Sequence, residues 1–344
     1  MAHVKPAAAL PAPRPALGLW RPVDESSLTD DDDASGLAAF LRARPRLFGI
    51  AYRMLGSVAD AEDLVQETWT RWQGYDRGGV RDPQAFLATT TTRLAMNVLQ
   101  SARARHETYI GPWLPEPIDT EADPELVAER SDTLQFAVLI LLERLTPAER
   151  AVYVLREAFG YAYRQIAEVI STTEEAARQL ASRARKRIAA DKRQPVDDTE
   201  HRRLLLAFID AARSGDIAAL ESLLAEDVVS IADGGGVANA ARFPVAGRDR
   251  VLQLTVAVSR WIWQEVTVRL VEANAQSWAV LEADDGPVMM FTIEATDAGI
   301  GQMFWLMNPA KLGAVFFAPG GGTARGRPDP STQLSRTTRP SGPS

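Results

Sequence analysis

The sequence contains no cysteine, which excludes disulfide bonds and thiolate metal sites. Its three histidines, His3, His106 and His201, lie far apart and lack the spacing of metal ligands. No apolar run approaches the roughly 20 residues that a helix needs to cross a bilayer. Residues 1–21 are rich in alanine and proline and lack the uninterrupted apolar segment of a signal peptide. We therefore expect a cytoplasmic protein without a metal, a cofactor or a membrane contact.

The charge balance is acidic, with a net charge of −7, which at first disfavours a nucleic-acid partner. The charges are segregated along the chain, however. Residues 174–193 carry seven basic side chains and three acidic ones, whereas acidic residues are concentrated in 30–33 and 116–132. The basic stretch predicts a nucleic-acid contact, with a solvated helix face as the alternative.

Composition and hydrophobic periodicity divide the 344 residues into six segments: 1–34, 35–107, 108–125, 126–193, 200–318 and 319–344. The first and the last are rich in proline and small residues and are predicted to be disordered. The second and the fourth have the periodicity of helices, and the prolines between them indicate an extended linker. The fifth begins with helices and continues with alternating strands. This order predicts an α+β domain with helices on one face of an antiparallel sheet.

Local signals place several helix ends and strands. Ser57, with Asp60 three residues later, predicts a capped helix start, and Thr146 and Glu149 are spaced as a capping box. In the fifth segment we predict helices over 201–213, 217–224 and 248–260, then strands over 266–271, 278–281, 288–293 and 302–307.

A short helix, a turn and a basic helix end the fourth segment. Tyr163, Ile166 and Ile170 form the apolar face of the short helix. Thr172 and Glu175 are spaced as a capping box for the basic helix, whose apolar and polar residues lie on opposite faces. This division is typical of a DNA recognition helix, with a surface helix of a bundle as the alternative. The predicted DNA-binding residues are Glu175, Arg178, Gln179, Ser182, Arg183 and Lys186.

Two parts of the chain resemble the extracytoplasmic-function (ECF) sigma factors of the sigma-70 family. The fourth segment resembles their region 4 through Leu-Thr-Pro-Ala-Glu-Arg at 145–150, Tyr-Arg-Gln-Ile-Ala-Glu at 163–168 and Arg-Ala-Arg-Lys-Arg at 183–187. The second segment resembles their region 2 through Leu-Phe-Gly-Ile-Ala-Tyr-Arg-Met-Leu-Gly at 47–56, Asp-Ala-Glu-Asp-Leu-Val-Gln-Glu at 60–67, Arg-Leu-Ala-Met-Asn at 93–97 and Ser-Ala-Arg-Ala-Arg at 101–105.

The resemblance implies a promoter-recognition subunit that binds core RNA polymerase and the −35 and −10 promoter elements. The implied polymerase-binding residues are Asp60, Glu62, Asp63 and Gln66, and the implied DNA-binding residues of region 2 are Arg93, Asn97, Arg103 and Arg105. Residues 108–125, extended at about 3.3 Å each, reach roughly 60 Å. Elements roughly 17 base pairs apart lie about 58 Å apart. The linker is therefore long enough for both modules to bind one promoter.

The linker also resembles that of the ECF sigma factors with a fused SnoaL-like domain, through Gly-Pro-Trp-Leu-Pro-Glu-Pro at 111–117. The same group has Asp-Gly-Gly-Gly in the extra domain, found here at 233–236, and Asn-Pro-Asp-Lys-Leu near its end, where this chain has Ala310 in place of the aspartate. The resemblance implies a cone-shaped α+β domain that regulates the sigma modules in cis. The implied interdomain residues are Trp113, Leu114, Pro115, Glu116, Pro117, Asp233, Gly234, Gly235, Gly236, Asn308 and Lys311.

Two other classes of function stay open at this point. One is a helix-turn-helix regulator that acts without polymerase, and it does not need the acidic residues 60–67. The other is a SnoaL-type enzyme or small-molecule sensor, with an unknown effector. General acid-base catalysis needs a titratable group in a pocket, but His201 lies on the entry helix and Glu294 has no paired carboxylate in sequence. We therefore predict no catalytic residues, and we expect the turn at 233–236 to lie against residues 113–117.

Overall fold

The structure is a computed structural model, and it describes residues 30–106, 109–120, 133–191, 195–263, 266–284 and 286–316. Within these ranges no helix is long and apolar enough to cross a membrane. The predicted disordered tail, 319–344, and most of the N-terminal extension lie outside the described residues.

The first helical region contains three long helices: α1 (Asp30–Leu55), α2 (Val58–Gln73) and α3 (Pro83–His106). Helix α1 begins at Asp30, which lies inside the segment predicted to be disordered. Ser57 caps α2 as predicted, since its hydroxyl accepts a hydrogen bond from Asp60 N at 3.2 Å. Asp82 accepts one from Ala85 N at 3.1 Å at the start of α3. The linker that follows is described over 109–120 and contains no helix there.

The second helical region contains α4 (Phe136–Leu142), α5 (Pro147–Tyr153), α6 (Tyr163–Val169) and α7 (Glu174–Asp191). The capping box of Thr146 and Glu149 is present, and α5 continues into a π-helical turn, Val154–Ala158. The predicted capping box at Thr172 is wrong. Thr173 caps α7 instead, accepting a hydrogen bond from Ala176 N at 3.2 Å, because Ser171 takes a positive φ and shifts the turn by one residue.

The third region is an α+β domain. It contains α8 (Asp198–Ser214), α9 (Ile217–Leu223), β1 (Leu224–Asp233), β2 (Val245–Ala246), α10 (Arg248–Ile262), β3 (Thr267–Ala273), β4 (Gln276–Ala283), β5 (Gly286–Thr296), β6 (Gly299–Leu306) and α11 (Pro309–Phe316). The six strands form one sheet in the order β2-β1-β6-β5-β4-β3, in which β1 and β6 are parallel and all other neighbours are antiparallel. The alternation of apolar and polar residues, from which β3 to β6 were predicted, does not predict β1. Burial along β1 does not alternate, and its pairing with β6 shifts register between Leu224 and Val229.

Both faces of this sheet are covered, each by different parts of the chain. Phe291 and Met303 face α8, where Phe208 packs on Phe291 at 5.3 Å between ring centroids. The opposite face presents Trp278 and Phe304 to Phe136 of α4, whose ring lies 4.7 Å and 5.5 Å from theirs. The third domain therefore completes its core with residues of the second helical region.

The two helical regions share one hydrophobic cluster and several buried polar contacts. Arg150 of α5 donates to Met54 O at 2.7 Å, and Arg53 Nε donates to Thr133 Oγ1 at 3.0 Å. Both arginines are buried. Because buried guanidinium groups are costly unless hydrogen-bonded, these contacts fix the packing of the two regions against each other. We call this packed state the closed arrangement.

Candidate functional site

Helix α7 presents its predicted DNA-binding face to solvent. Glu175, Arg178, Gln179, Ser182 and Lys186 are exposed, while Ala177, Ala181, Ala184 and Ile188 are buried beneath them. Arg183 is also exposed and lies 3.4 Å from the buried carboxylate of Glu149. Arg178 pairs with Glu174 at 2.5 Å on the same helix. Arginine and lysine on such a face bind phosphates, and a side-chain amide such as that of Gln179 reads base edges.

Helix α3 contacts the helix-turn-helix through Arg93, whose side chain is partly exposed. The Arg93 guanidinium donates to Val169 O at 2.7 Å, Glu168 O at 2.8 Å and Ser171 Oγ at 3.1 Å. The two carbonyls lie at the end of α6, where helix carbonyls lack intrahelical partners, and Ser171 follows in the turn. In the closed arrangement the Arg93 guanidinium is therefore bonded to the helix-turn-helix. Asn97 is exposed on α3, and the side chains of Arg103 and Arg105 lie outside the described residues.

The predicted polymerase-binding residues lie at the start of α2. Asp60, Asp63 and Gln66 are exposed, and Glu62 pairs with Arg44 of α1 at 2.7 Å. This gives an exposed acidic surface suited to a basic partner. Acidic side chains here also favour the positive end of the helix dipole.

Glu116 of the linker caps this same helix. Its carboxylate accepts hydrogen bonds from Val58 N at 2.6 Å and Ser57 Oγ at 3.2 Å, and its own N–H donates to Gly56 O at 2.8 Å. Burial raises the pKa of the Glu116 carboxyl, and the bond from Val58 opposes that rise. Gly56 has a φ of +67°, and a Cβ there would lie 2.7 Å from the Trp113 ring. The linker thus packs tightly on the start of the acidic helix.

Asp233, at the end of β1, holds the other side of the linker. One carboxylate oxygen accepts from Leu114 N at 3.0 Å and from Lys311 Nζ at 2.7 Å. The other accepts from Tyr109 Oη at 2.5 Å and from Gly235 N at 3.0 Å. Asp233 is fully buried. A buried carboxylate is stable only when it is paired and hydrogen-bonded in this way.

Lys311 of α11 completes the contact. Its ammonium donates to Leu114 O as well as to Asp233, and it lies 4.3 Å from the centroid of the Trp113 ring. Burial lowers the pKa of Lys311, and the Asp233 carboxylate opposes that change. We call Asp233, Lys311, Tyr109 and the Trp113-Leu114 segment the linker clamp. Pro115 and Pro117 are buried beside it.

The glycine turn and Asn308 support the clamp. A Cβ on Gly235, whose φ is +60°, would lie 2.5 Å from the Asn308 side-chain nitrogen, which donates to Tyr109 Oη at 2.9 Å. A Cβ on Gly236 would lie 3.0 Å from the side chain of Ile110 in the linker. Ala310 is exposed, and its backbone N–H donates to Asn308 Oδ1 at 3.1 Å. Any residue except proline supplies that donor, so the substitution of the family's aspartate leaves this bond in place.

Sequence reasoning missed Asn274, in the turn between β3 and β4. Its backbone N–H donates to Ile118 O at 3.0 Å and its Oδ1 accepts from Ile118 N at 3.1 Å. Its Nδ2 donates to Tyr52 Oη at 2.8 Å and to Leu134 O at 3.0 Å. Tyr52 in turn donates to Glu116 O at 2.7 Å. One fully buried amide therefore joins the third domain to the linker and to both helical regions.

His201 and Glu294, the groups weighed for catalysis, both line one small pocket between α4, α8 and β5. His201 is buried and its Nε2 lies 2.9 Å from Ile293 O, which makes it a packed core residue. Burial lowers the pKa of His201. Among the described residues no group of three histidine, aspartate or glutamate side chains is placed to hold a metal ion.

Two family models match the helical regions. The model of Sigma-70 region 2 matches residues 39–105, and the model of Sigma-70, region 4 matches residues 135–188. They cover the acidic helix α2, helix α3 and the helix-turn-helix. The matches define the class of the protein as a sigma-70 type transcription factor.

Relatives narrow the class. The ECF RNA polymerase sigma factor SigJ of Mycobacterium tuberculosis H37Rv is 40% identical over 230 residues, which are 64% of this chain and 72% of that protein. The probable ECF RNA polymerase sigma factor SigI of M. tuberculosis CDC 1551 is 36% identical over 219 residues, 62% of this chain and 73% of that protein. The chain belongs to the ECF RNA polymerase sigma factors. Membership implies a transcription factor that binds core RNA polymerase and promoter DNA.

The crystal structure of M. tuberculosis SigJ extends the likeness into the third domain. It superposes with a TM-score of 0.67 at 33% identity, over 81% of this chain and 99% of that chain. The predicted fold class, two helical sigma domains followed by a SnoaL-like α+β domain, is confirmed.

Proposed function

We propose that this sigma factor is regulated in cis by its third domain, which holds the linker and thereby keeps regions 2 and 4 in the closed arrangement. In this function α7 contacts the −35 element, α3 opens the −10 element, and Asp60, Glu62, Asp63 and Gln66 bind core polymerase. The observation that carries the proposal is the linker clamp, in which a buried carboxylate binds the backbone of Leu114.

The closed arrangement is too compact for both promoter elements. Arg93 of α3 contacts Ser171, which precedes the first residue of α7 by three positions. Three residues span at most roughly 11 Å, whereas elements roughly 17 base pairs apart are about 58 Å apart. The two modules must separate before both bind one promoter, and Arg93 is then released for DNA.

Separation requires the linker to leave its present contacts. Residues 114–118 are hydrogen-bonded to α2 on one side and to the third domain on the other. Opening therefore breaks the linker clamp, the Asn274 contacts, or the bond between Glu116 and α2. A change that weakens these linker contacts would therefore allow regions 2 and 4 to move apart.

The function is tested by run-off transcription with purified core polymerase, a genomic promoter library and the full-length chain. The double variant Asp60→Lys/Asp63→Lys should bind core polymerase more weakly and produce less transcript, because charge reversal repels a basic partner. Asp210→Lys, an exposed aspartate of α8 in the third domain, is the matched control. Equal core affinity of the double variant and the control would refute the assignment of α2.

Cis regulation is tested with point variants of the full-length chain. Truncation before the third domain is unsuitable, because it would expose Phe136 and Leu114, which are buried against that domain. Asn274→Ala removes three side-chain hydrogen bonds between the domains. We expect more transcript at equal protein concentration, and an unchanged or lower yield from a folded variant would refute the regulatory role.

A further inference from the structure

Glu149 of α5 carries a buried carboxylate that the proposed function does not use. The residue is only 3% exposed. Its Oε2 accepts hydrogen bonds from Thr146 N at 3.1 Å and Thr146 Oγ1 at 2.9 Å, which belong to the capping box. Burial opposes ionisation of the carboxyl, but the bonds from Thr146 and the charge of Arg187 outweigh it and lower the pKa of Glu149. Glu149 is therefore a permanent negative charge beside α7.

Two arginines of α7 converge on this carboxylate. Arg187 Nη1 donates to Oε2 at 2.6 Å, and Arg183 Nε donates to Oε1 at 3.4 Å. The two arginines are four positions apart, so they lie on the same face of the helix. A capping box is also satisfied by glutamine, which carries no charge. The start of α5 therefore does not need an ionised side chain at Glu149, whereas the two arginines do.

These contacts hold each guanidinium by one side and leave the rest of it free. The side chains of Arg183 and Arg187 are 55% and 53% exposed. Among the described residues, no acceptor binds either Nη nitrogen of Arg183, or Nε and Nη2 of Arg187. A planar guanidinium held in this way keeps N–H groups for a phosphate, and its orientation is fixed before the phosphate arrives.

Both arginines lie where α7 is expected to meet the DNA backbone. A recognition helix reads base edges with its N-terminal residues, and cationic residues farther along bind phosphates. Arg183 belongs to the predicted DNA-binding face, in the C-terminal half of α7. Arg187 lies about one turn beyond it, past the exposed Lys186, and extends the same edge of that face.

We infer that Glu149 is a positioning residue for DNA binding: its carboxylate orients Arg183 and Arg187 toward the phosphate backbone, and Arg187 is itself a phosphate contact. The inference rests on the proposed function in one respect, the placement of α7 on DNA. The gain is in entropy, because two long side chains are ordered before binding and not during it.

Arg187 is tested with a short duplex of mixed sequence as the probe, since phosphate contacts do not depend on sequence. Fluorescence anisotropy measures its affinity for the full-length chain, without polymerase, over a range of salt concentrations. Arg187→Ala should lower the slope of log affinity against log salt concentration by about one unit. Arg187→Lys keeps the charge but not the planar fork, and should bind at least about threefold more weakly than the wild type. An unchanged slope in the first variant or an unchanged affinity in the second would overturn the inference.

Glu149 is tested with two variants of equal net charge. Glu149→Gln keeps the capping box but leaves one acceptor oxygen where two arginines converge. Glu168→Gln changes an exposed glutamate of α6 that pairs with Arg164. Removal of a negative charge favours DNA binding by itself, so Glu168→Gln should bind at least as tightly as the wild type. Glu149→Gln should bind at least about threefold more weakly than Glu168→Gln. Equal affinity of these two variants would refute the positioning role.

A double variant tests whether Glu149 acts through the arginine. Arg187→Ala should weaken binding less in Glu149→Gln than in the wild type, and equal losses in the two backgrounds would contradict the inference. Thermal melts check that Glu149→Gln is folded, and the Arg187→Lys comparison leaves Glu149 in place. Lys186→Ala separates the two levels of the argument. If it leaves the affinity for the duplex unchanged, the placement of α7 on DNA fails. If it weakens binding while the Glu149 comparisons show no difference, only the positioning role is refuted.

Discussion

Replacement of Asp233 by alanine tests how strongly the linker clamp holds the closed arrangement. The variant removes two hydrogen bonds from the linker to the carboxylate, those of Leu114 N and Tyr109 Oη. Hydrogen bonds to a charged group contribute about 1.5–3 kcal/mol each, so the closed arrangement should lose about 3–6 kcal/mol relative to the open one. At about 1.4 kcal/mol per factor of ten, the equilibrium should shift toward the open form by at least about a hundredfold.

The absence of cysteine makes this shift directly measurable. Cysteines introduced at the exposed positions Thr70 on α2 and Ala189 on α7 can carry a donor and an acceptor dye without competing thiols. We expect lower transfer efficiency in Asp233→Ala than in the wild type. Asp297→Ala, an exposed aspartate of the turn between β5 and β6, should leave the efficiency unchanged. Equal efficiency in Asp233→Ala and the control, with circular dichroism intact, would refute the role of the carboxylate.

Four further outcomes follow from the structure. Lys186→Ala should weaken DNA binding to all sequences and lower the slope of log affinity against log salt concentration by about one unit. Gln179→Ala should instead relax the preference for one base pair. If the two variants exchange these effects, α7 is oriented differently on DNA. Gly56→Ala should lower the melting temperature, because its φ of +67° and the Trp113 ring both exclude a methyl group. Release of the Asn274 contacts by Asn274→Ala should speed amide exchange at Ile118, as measured by mass spectrometry. Burial lowers the pKa of His201 in the folded chain. Below about pH 6.5 the unfolded chain therefore binds a proton that the folded chain does not, and the stability of the fold should decrease. Thermal melts of His201→Gln should show a smaller decrease.

Much of the fold followed from local rules. The caps at Ser57 and Thr146 depend on residues three positions apart, and both are present as predicted. Helix α7 separates its polar and apolar faces at helical spacing, and burial in the structure follows that division. Thr172 was the wrong cap because the choice between adjacent threonines depends on the φ of Ser171, which spacing does not reveal.

The contacts between domains were harder to predict. The resemblance to region 2 assigned Arg93 to DNA, but its acceptors in the closed arrangement lie 75 to 78 positions away in the sequence. The turn at Asn274 was hard to predict from the sequence. Asn274 and Ala275 both adopt a positive φ, and a two-residue turn of this kind usually has glycine, not alanine, after the asparagine. Its four hydrogen bonds join it to three residues in three other parts of the chain, Ile118, Tyr52 and Leu134, and no periodicity connects them.

The regulation that we propose for the linker clamp also limits how this sigma factor can be controlled. Its two sides belong to one chain, so the third domain meets the linker at a fixed effective concentration, however much protein a cell contains. Under the proposed cis regulation, neither dilution nor separate degradation of a second subunit changes the ratio of regulator to target. A signal must therefore act on the chain itself, through a bound molecule, the polymerase surface or the promoter, and each copy responds independently of the others.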